Sequence, residues 1–418
     1  MILPMLDSYL QNQKITQPLL RQEVDEKLGI IVVIPAFQET DLLKSLESLA
    51  NCKPPQSKVE VIIVFNASEK SSKEVRQLHR KTAAEIEAWQ RNTEALFFRV
   101  YVIEQHYLPE KNAGVGLARK IGMDEAVRRF QAAKNPKGII LCFDADSSCL
   151  SNYLIAIENY FQSNPEKSAV SINFEHPLEG KEFPEAVYAG ICHYELHLRY
   201  YKLGLAYAEL PFAYHTIGSS MAVRADAYCN QGGMNKRKAG EDFYFLQKFI
   251  AIDQLGELKS TTVIPSPRSS QRVPFGTGRA ISEMIDGKRD ISLTYDFEIF
   301  ELLRSTFKSV ENCYESSMDL NSVFLEFVGK QQWEKKLAEL RKNSTDSIRF
   351  QKRFFQWFNA FKALKFIHFL RDHYYPLSPL SEEVPKLISK IQADFSFQSA
   401  HQSLLLLRKL EKQKDDIF

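Results

Sequence analysis

The chain has 418 residues, a hydrophobic fraction of 44%, a charged fraction of 25% and a formal net charge of +2 at pH 7. This is an ordinary globular composition, long enough for two or three domains. It excludes a disordered or collagen-like chain, and its near-neutral balance gives no overall attraction to nucleic acid or to an anionic membrane. The cysteines Cys52, Cys142, Cys149, Cys192, Cys229 and Cys313 are scattered, with no Cys-x-x-Cys pair. They read as reduced, mostly buried thiols of a cytosolic protein, not as a disulfide frame or a zinc site. No stretch approaches the roughly 18 to 20 apolar residues needed to span a bilayer. The first residues, interrupted by Asp7, Gln11 and Lys14, do not form a signal peptide. The expected location is the cytoplasm, without a transmembrane segment; peripheral membrane contact stays open.

Residues 1–28 are polar and mixed and predict a short helical lead-in. Ile30–Ile34 predicts a buried strand closed by Pro35, and Asp41–Ala50 a helix with Leu42, Leu43, Leu46 and Leu49 at helical spacing. A second strand follows at Val59–Phe65, a charged helix at Ser71–Gln90, a third strand at Phe97–Ile103 and a helix at Gly114–Phe130. Residues 138–143 form a fourth strand. Strand alternating with helix implies a mostly parallel sheet flanked by helices. The sheet continues less regularly, with strands at Ser168–Phe174, Ser219–Val223 and Thr261–Ile264. Helices are expected at Glu182–Lys202 and Glu241–Ile250, and a loop at 267–289. Residues 290–418 predict a helical C-terminal appendage. Phe354, Phe355, Trp357, Phe358, Phe361, Leu364, Phe366 and Phe369 crowd one part of it. Left in water they would cost about 25 cal/mol per Å2 of apolar area, so they are expected to bury against something.

The most informative segment is Gly138–Asp146, an apolar run that ends in two carboxylates, Asp144 and Asp146. Open α/β sheets bind ligands at this strand end. Two Asp at i and i+2 point the same way if the backbone stays extended, and repel unless a cation neutralises them. Hard oxygen ligands favour Mg2+ or Mn2+, which can also bridge a diphosphate. The plain alternative is a polar strand end. The first strand ends Pro35-Ala36-Phe37-Gln38-Glu39, in place for a nucleotide edge: Pro35 stiffens the turn, and Phe37 is free to pack on a base or on a neighbouring loop. Asn66, after the second strand, offers an amide to a nucleobase, though Asn is also an ordinary turn residue. Small residues from Gly114 permit close backbone approach and an anion site at the helix start, with Arg119 one turn in. Arg119 stands where a dinucleotide fingerprint needs Gly, so that reading is rejected. Glu241 and Asp242 open a helix after Gly240. They complement its dipole, and one of them could serve as a general base. Arg268 and Arg272 lie in a Gly-containing loop and suit phosphate. His193 and His197 flank Glu195, which is misplaced for a zinc-protease motif.

Taken in order, Ile-Pro-Ala-Phe-Gln-Glu, Asn-Ala-Ser, Gly-x-Gly-x-Ala-Arg-Lys-x-Gly, Asp144-Ala145-Asp146, Gly232-Gly233 and Gly240-Glu241-Asp242 closely resemble the family 2 glycosyltransferases of GT-A fold, over about residues 29–280. The resemblance implies a GT-A domain at 29–289, between the lead-in at 1–28 and the helical part at 290–418, which lies outside the resemblance. It implies a nucleotide-sugar donor linked to UDP or GDP, and Mn2+ or Mg2+ held by Asp144 and Asp146. It also implies inversion at the anomeric carbon and Asp242 as base, with Glu241 supporting it. Donor contacts are then expected from Pro35, Phe37, Glu39, Asn66, Gly114, Arg119, Asp144, Asp146, Arg268 and Arg272. The sequence departs from the family pattern at Phe65-Asn66-Ala67-Ser68, where two acids are usual. The Gln-x-x-Arg-Trp element of processive synthases is absent too, so a non-processive enzyme is expected. The expected acceptor is a hydroxyl, for which a glycan or a lipid-linked acceptor is open, and nucleic acid is not expected as a partner. Two other readings compete. A sugar nucleotidyltransferase would place a Gly-rich basic loop after the first strand, where this chain has Pro35–Glu39. A catalytically silent scaffold would explain the lost acids but not the retained Asp144, Asp146, Glu241 and Asp242.

Overall fold

Two compact units make up the protein: Met1–Pro177 with Thr216–Arg279, and Leu178–His215 with Ala280–Phe418. The computed structural model describes residues 3–413 apart from 16, 271, 273–275, 309, 317–319 and 392–398.

The first unit is built on a sheet of β1 (Leu28–Ala36), β2 (Lys58–Ser68), β3 (Phe98–Leu108), β4 (Ile139–Cys142), β5 (Ser148–Cys149), β6 (Ala169–Phe174), β7 (Met221–Arg224) and β8 (Leu255–Ile264). The spatial order is β3-β2-β1-β4-β7-β6-β8-β5. β1 pairs parallel with β2 and β4, β2 with β3, and β6 with β8. β7 lies antiparallel between β4 and β6, and β5 antiparallel on β8. The expected α/β architecture is therefore present, with two reversed strands that periodicity could not reveal. Every residue of β1 is buried, as its unbroken apolar run requires.

The helices, in chain order, are α1 (Leu3–Asn12), α2 (Leu42–Ala50), α3 (Lys73–Asn92), α4 (Val115–Ala132), α5 (Tyr153–Ser163), α6 (Glu185–Tyr207), α7 (Ala225–Asn230) and α8 (Glu241–Ile250). They continue with α9 (Thr277–Ile285), α10 (Phe297–Lys308), α11 (Ser322–Val328), α12 (Lys330–Lys342), α13 (Ser347–Trp357), α14 (Ala360–His373), α15 (Leu380–Ile391) and α16 (Ala400–Gln413). α5 was not foreseen, and α9 replaces part of the loop expected at 267–289. In α9, Ile281 and Met284, three positions apart, pack with Val187 and Ile191, and this helical spacing outweighs the Gly276 and Gly278 turn signals.

α4 is buried on most of its circumference, because the lead-in covers its outer side. Tyr9 of α1 and Tyr228 of α7 both donate to Asp124 Oδ1, at 2.7 and 2.8 Å. Lys120 Nζ stands 2.9 Å from Asp124 Oδ2, so this lysine serves packing inside the unit. On its inner side, a Cβ at Gly122 would lie 2.4 Å from Val33 Cγ1 of β1, so this glycine allows the helix to seat on the sheet.

The second unit is helical. Its aromatic residues bury against one another: Phe307 on Phe358 at 4.7 Å between ring centroids, Phe324 on Phe366 at 5.6 Å and on Trp333 at 5.7 Å. Phe354, Phe358 and Phe366 are fully buried, whereas Phe361 is exposed. α6 and α16 share buried charges. Arg408 donates to Glu195 through Nε at 2.8 Å and Nη2 at 2.7 Å. Arg199 donates to Glu195 at 2.8 Å and to Glu411. His215 Nε2 lies 3.2 Å from Glu411 Oε1. His193 Nδ1 meets Ala189 O, and His197 Nδ1 meets Thr294 Oγ1.

Candidate active site

Parallel strands β1, β2 and β4 deliver their C-terminal ends to one edge of the first unit, and the candidate residues gather there. After β4 the chain does not stay extended. Ser147 N–H donates to Asp144 O at 3.1 Å, closing a turn over 144–147. The two aspartates accordingly meet different arginines, in place of the parallel alignment expected of an extended strand. Ser45 of α2 fixes this turn by donating to Ala145 O at 2.9 Å.

Asp144 accepts from Arg119 Nη2 at 2.6 Å, and the same guanidinium donates through Nη1 to Glu241. Arg119 is 4% exposed and Glu241 2%. Burial works against the arginine's charge, but Asp144 and Glu241 outweigh it and hold its pKa above the ordinary value. Gly218, just before β7, lies against this group: a Cβ there would sit 2.5 Å from Arg119 Nη1. Arg119 thus ties the end of β4 to the start of α8.

α8 begins at Gly240, whose φ of +70° is the left-handed conformation that glycine adopts without strain. Asp242 Oδ1 accepts from Phe243 N–H at 2.7 Å, a contact with the first turn of its own helix. Burial and then the neighbouring Glu241 push the Asp242 carboxyl up to about 7, against the pull of Arg119. A carboxyl that titrates near neutrality is suited to take a proton at physiological pH.

The second ion-pair group centres on Glu39. Arg268 Nη2 donates to Glu39 Oε2 at 2.6 Å, and Arg268 Nε lies 2.6 Å from Asp146 Oδ2. Arg272 Nη1 reaches both Glu39 Oε1 at 2.5 Å and Phe37 O at 2.6 Å. Burial raises Asp146 to about 6; Arg268 opposes this, and Asp144 and Glu39 add to it. The rest of the arginine segment, Gln271 and Val273–Phe275, lies outside the described residues.

Pro35 is buried at the end of β1. The Phe37 ring stands edge-on to His79 of α3, with centroids 6.0 Å apart. Gln38, at a φ of +52°, donates its N–H to His79 Nε2 at 3.3 Å. His79 in turn stacks on Phe65 at 4.9 Å. Burial, then His106, pulls the His79 pKa down to about 4, so its ring is neutral and can accept. Asn66 directs Nδ2 to Gly114 O over a long 3.5 Å. The small residues at the start of α4 are approached by the chain's own backbone. A Cβ at Gly116 would stand 2.2 Å from Arg237 O, and one at Gly114 3.1 Å from Lys238 Cα.

The fold therefore joins Arg119, Asp144 and Glu241 in one group and Glu39, Asp146, Arg268 and Arg272 in another. His79, Ser45 and Gly218 belong to the same edge and were not anticipated, since no local pattern marks a residue whose partner is far along the chain. Among the described residues, no three His, Cys, Asp or Glu side chains form a group that could hold a metal by themselves. Asp144 and Asp146 nevertheless offer two hard oxygen donors on one turn. That number fits a cation which takes its other ligands from a diphosphate and water.

Residues 31–228 match the family model described as Glycosyl transferase family 2. No curated protein matches the chain. Among solved structures, the chain is similar to S. aureus TarS 1–349 in complex with UDP-GlcNAc, at 14% identity over 75% of this chain and 74% of that one, TM-score 0.38. It is also similar to GalNAc-T7 with UDP, GalNAc and Mn2+, at 14% identity over 85% and 59%, TM-score 0.39. A third is the mannosyltransferase PcManGT from Pyrobaculum calidifontis with GDP-Man and Mn2+, at 12% identity over 99% of both chains, TM-score 0.35.

Proposed function

From the glycosyl transferase family 2 domain to which residues 31–228 belong, we propose that this glycosyltransferase moves a sugar from a UDP- or GDP-linked donor to an acceptor hydroxyl, with inversion and without processive elongation. The observation that carries the reading is the meeting of two acidic pairs at one sheet edge. Asp144 and Asp146 follow β4, Glu241 and Asp242 open α8, and Arg119 bridges them.

In this reading Asp242 takes the proton of the acceptor hydroxyl as its oxygen attacks the anomeric carbon. Such a base contributes typically 10²- to 10⁴-fold. Glu241, held by Arg119 and with its backbone carbonyl accepting from Asn235 Nδ2 at 3.1 Å, keeps the start of α8 in place. The nucleoside diphosphate leaves with its charge facing Arg268 and Arg272, the cations now paired with Glu39 and Asp146. Asp144 and Asp146 would hold Mn2+ or Mg2+, which supplies positive charge beside the departing diphosphate. Phe37 and Asn66 lie where the first two strands end, and frame the base. The acceptor is a glycan or lipid-linked hydroxyl. Among the described residues no helix is long and apolar enough to cross a membrane.

Calorimetry with UDP and GDP, with and without Mn2+, tests the reading. Metal-dependent binding that disappears in Asp146→Ala is the expected result. Equal binding in that variant would remove Asp146 from the site, and no binding of either nucleotide would favour a silent scaffold.

A further inference from the structure

Two thiols meet beside the candidate site and take no part in the proposed chemistry. Cys52 follows the end of α2, and Cys149 lies in β5, three residues after Asp146. Their Sγ atoms are 3.6 Å apart, although 97 positions separate them in the chain. We propose that Cys52 and Cys149 form a modification site, a dithiol that closes to a disulfide on two-electron oxidation by a peroxide.

Three features single out this pair. The sulfurs are already in contact at 3.6 Å, and a disulfide bond holds them about 2.0 Å apart. Cys149 is held on its partner's helix: its N–H donates to Ser48 Oγ at 2.9 Å, and its Sγ lies 3.7 Å from the same oxygen. The Cys52 sulfur also faces the Tyr153 and Leu154 backbone groups in the first turn of α5, an eleven-residue helix. A hydrogen bond from Cys149, followed by the Leu154 and Tyr153 backbone groups of α5, pulls the Cys52 thiol below its ordinary value despite burial. A thiolate at a helix N-terminus is the reactive form of cysteine. The same contact, and then burial, raises Cys149, the group that keeps its proton in the pair. Burial also raises Cys142 and Cys229 to about 12 and Cys192 to about 11. Cys313 is fully buried. Cys52 is 4% exposed, and the half-buried Cys149 forms the solvent side of the pair, by which the small peroxide enters.

The chemistry balances. The Cys52 thiolate attacks one peroxide oxygen, the O–O bond breaks, and the departing hydroxide takes up a proton to leave as water. Cys149 then attacks the sulfenyl sulfur of Cys52. The S–S bond forms, and the hydroxyl leaves as a second water with the Cys149 proton. Two thiols and one hydrogen peroxide thus become one disulfide and two waters. The bond would fasten α2 to the chain just beyond the 144–147 turn, which Ser45 already holds from the same helix.

The test treats the reduced full-length protein with hydrogen peroxide, alkylates the remaining thiols and maps the peptides by mass spectrometry without reduction. The expected result is loss of two thiols, one linkage joining the Cys52 and Cys149 peptides, and recovery of both on adding dithiothreitol. In Cys149→Ser the reaction should stop at a dimedone-reactive sulfenic acid on Cys52. Oxidation that falls first on Cys142, Cys192, Cys229 or Cys313 would overturn the proposal. So would full alkylation of Cys52 and Cys149 after peroxide. If Cys149→Ser does not fold, the peptide map of the unmutated protein decides alone.

Discussion

Arg119→Met is the most direct probe of how the site is held. Methionine keeps the unbranched stem but removes the cation between Asp144 and Glu241. Arg119 and Glu241 are 4% and 2% exposed, so the loss leaves a buried carboxylate without its partner. Breaking such a pair from one side costs about 3–5 kcal/mol. The Asp144 side chain is 35% exposed, so solvent screens its arm and it adds about 1 kcal/mol at most. The folded-to-unfolded ratio should therefore fall roughly 10²- to 10⁴-fold, a large fraction of an ordinary protein's stability. Urea unfolding of the single variant, and of Arg119→Met with Glu241→Gln, measures it. The double variant should be the more stable of the two, because the stranded charge is gone. A single variant within about 1 kcal/mol of the parent protein would refute the reasoning, as would a double variant no better than the single.

Asp146→Asn should stabilise the ligand-free protein at pH 7.5 by about 1–3 kcal/mol, from a shift of about two pKa units. Its folded value, about 6, lies above the ordinary carboxyl value. The native acid's contribution is thus fully present below the unfolded pKa and lost as pH rises through about 6. At pH 4 thermal melts of the two proteins should coincide, and a variant less stable at both pH values would contradict the sign. If Asp242 is the base, kcat/KM should rise about tenfold from pH 6 to pH 8, while Asp242→Asn stays low and flat; a pH-independent parent profile would exclude that role. In the helical unit, burial opposes the Glu411 charge, but Lys202, His215 and Arg199 hold its carboxyl well below the usual range. Its stabilisation is present above the unfolded value and lost as pH falls through the folded one. Glu411→Gln should therefore cost about 3–5 kcal/mol at neutral pH, with the gap in melting temperature closing in strong acid; equal melts at pH 7 would remove its structural role.

The sheet was legible because burial on both faces writes itself as unbroken apolar runs, as in Ile30–Ile34 and residues 138–143. Residues at strand ends could be named for the same reason. What the residues do to one another was not legible. Arg119 and Glu241 are 122 positions apart and Arg268 and Glu39 229 apart, so no window contains both partners. The reversed direction of β7 has no local signature, since strand periodicity is the same in either direction. α9 was hidden by Gly276 before it and Gly278 inside it. The small residues of Gly114–Gly116 were read as room for a ligand, and the approaching groups are Arg237 and Lys238 of the same chain.

The Arg119 bridge also divides the site into fixed and adjustable parts. With one buried guanidinium bound at both ends, the acid after β4 and the start of α8 cannot separate without exposing an unpaired charge. In the proposed function, the distance between Asp144 on the metal side and the base Asp242 is thus set when the protein folds, before any substrate arrives. On the same proposal, accommodation of donors of different size falls to the partners of Glu39. Arg268 and Arg272 are 21% and 26% exposed, and each can exchange a carboxylate for a phosphate without leaving a cation bare. Changes that alter which donor is accepted would concentrate there, while the spacing needed for proton removal stays constant.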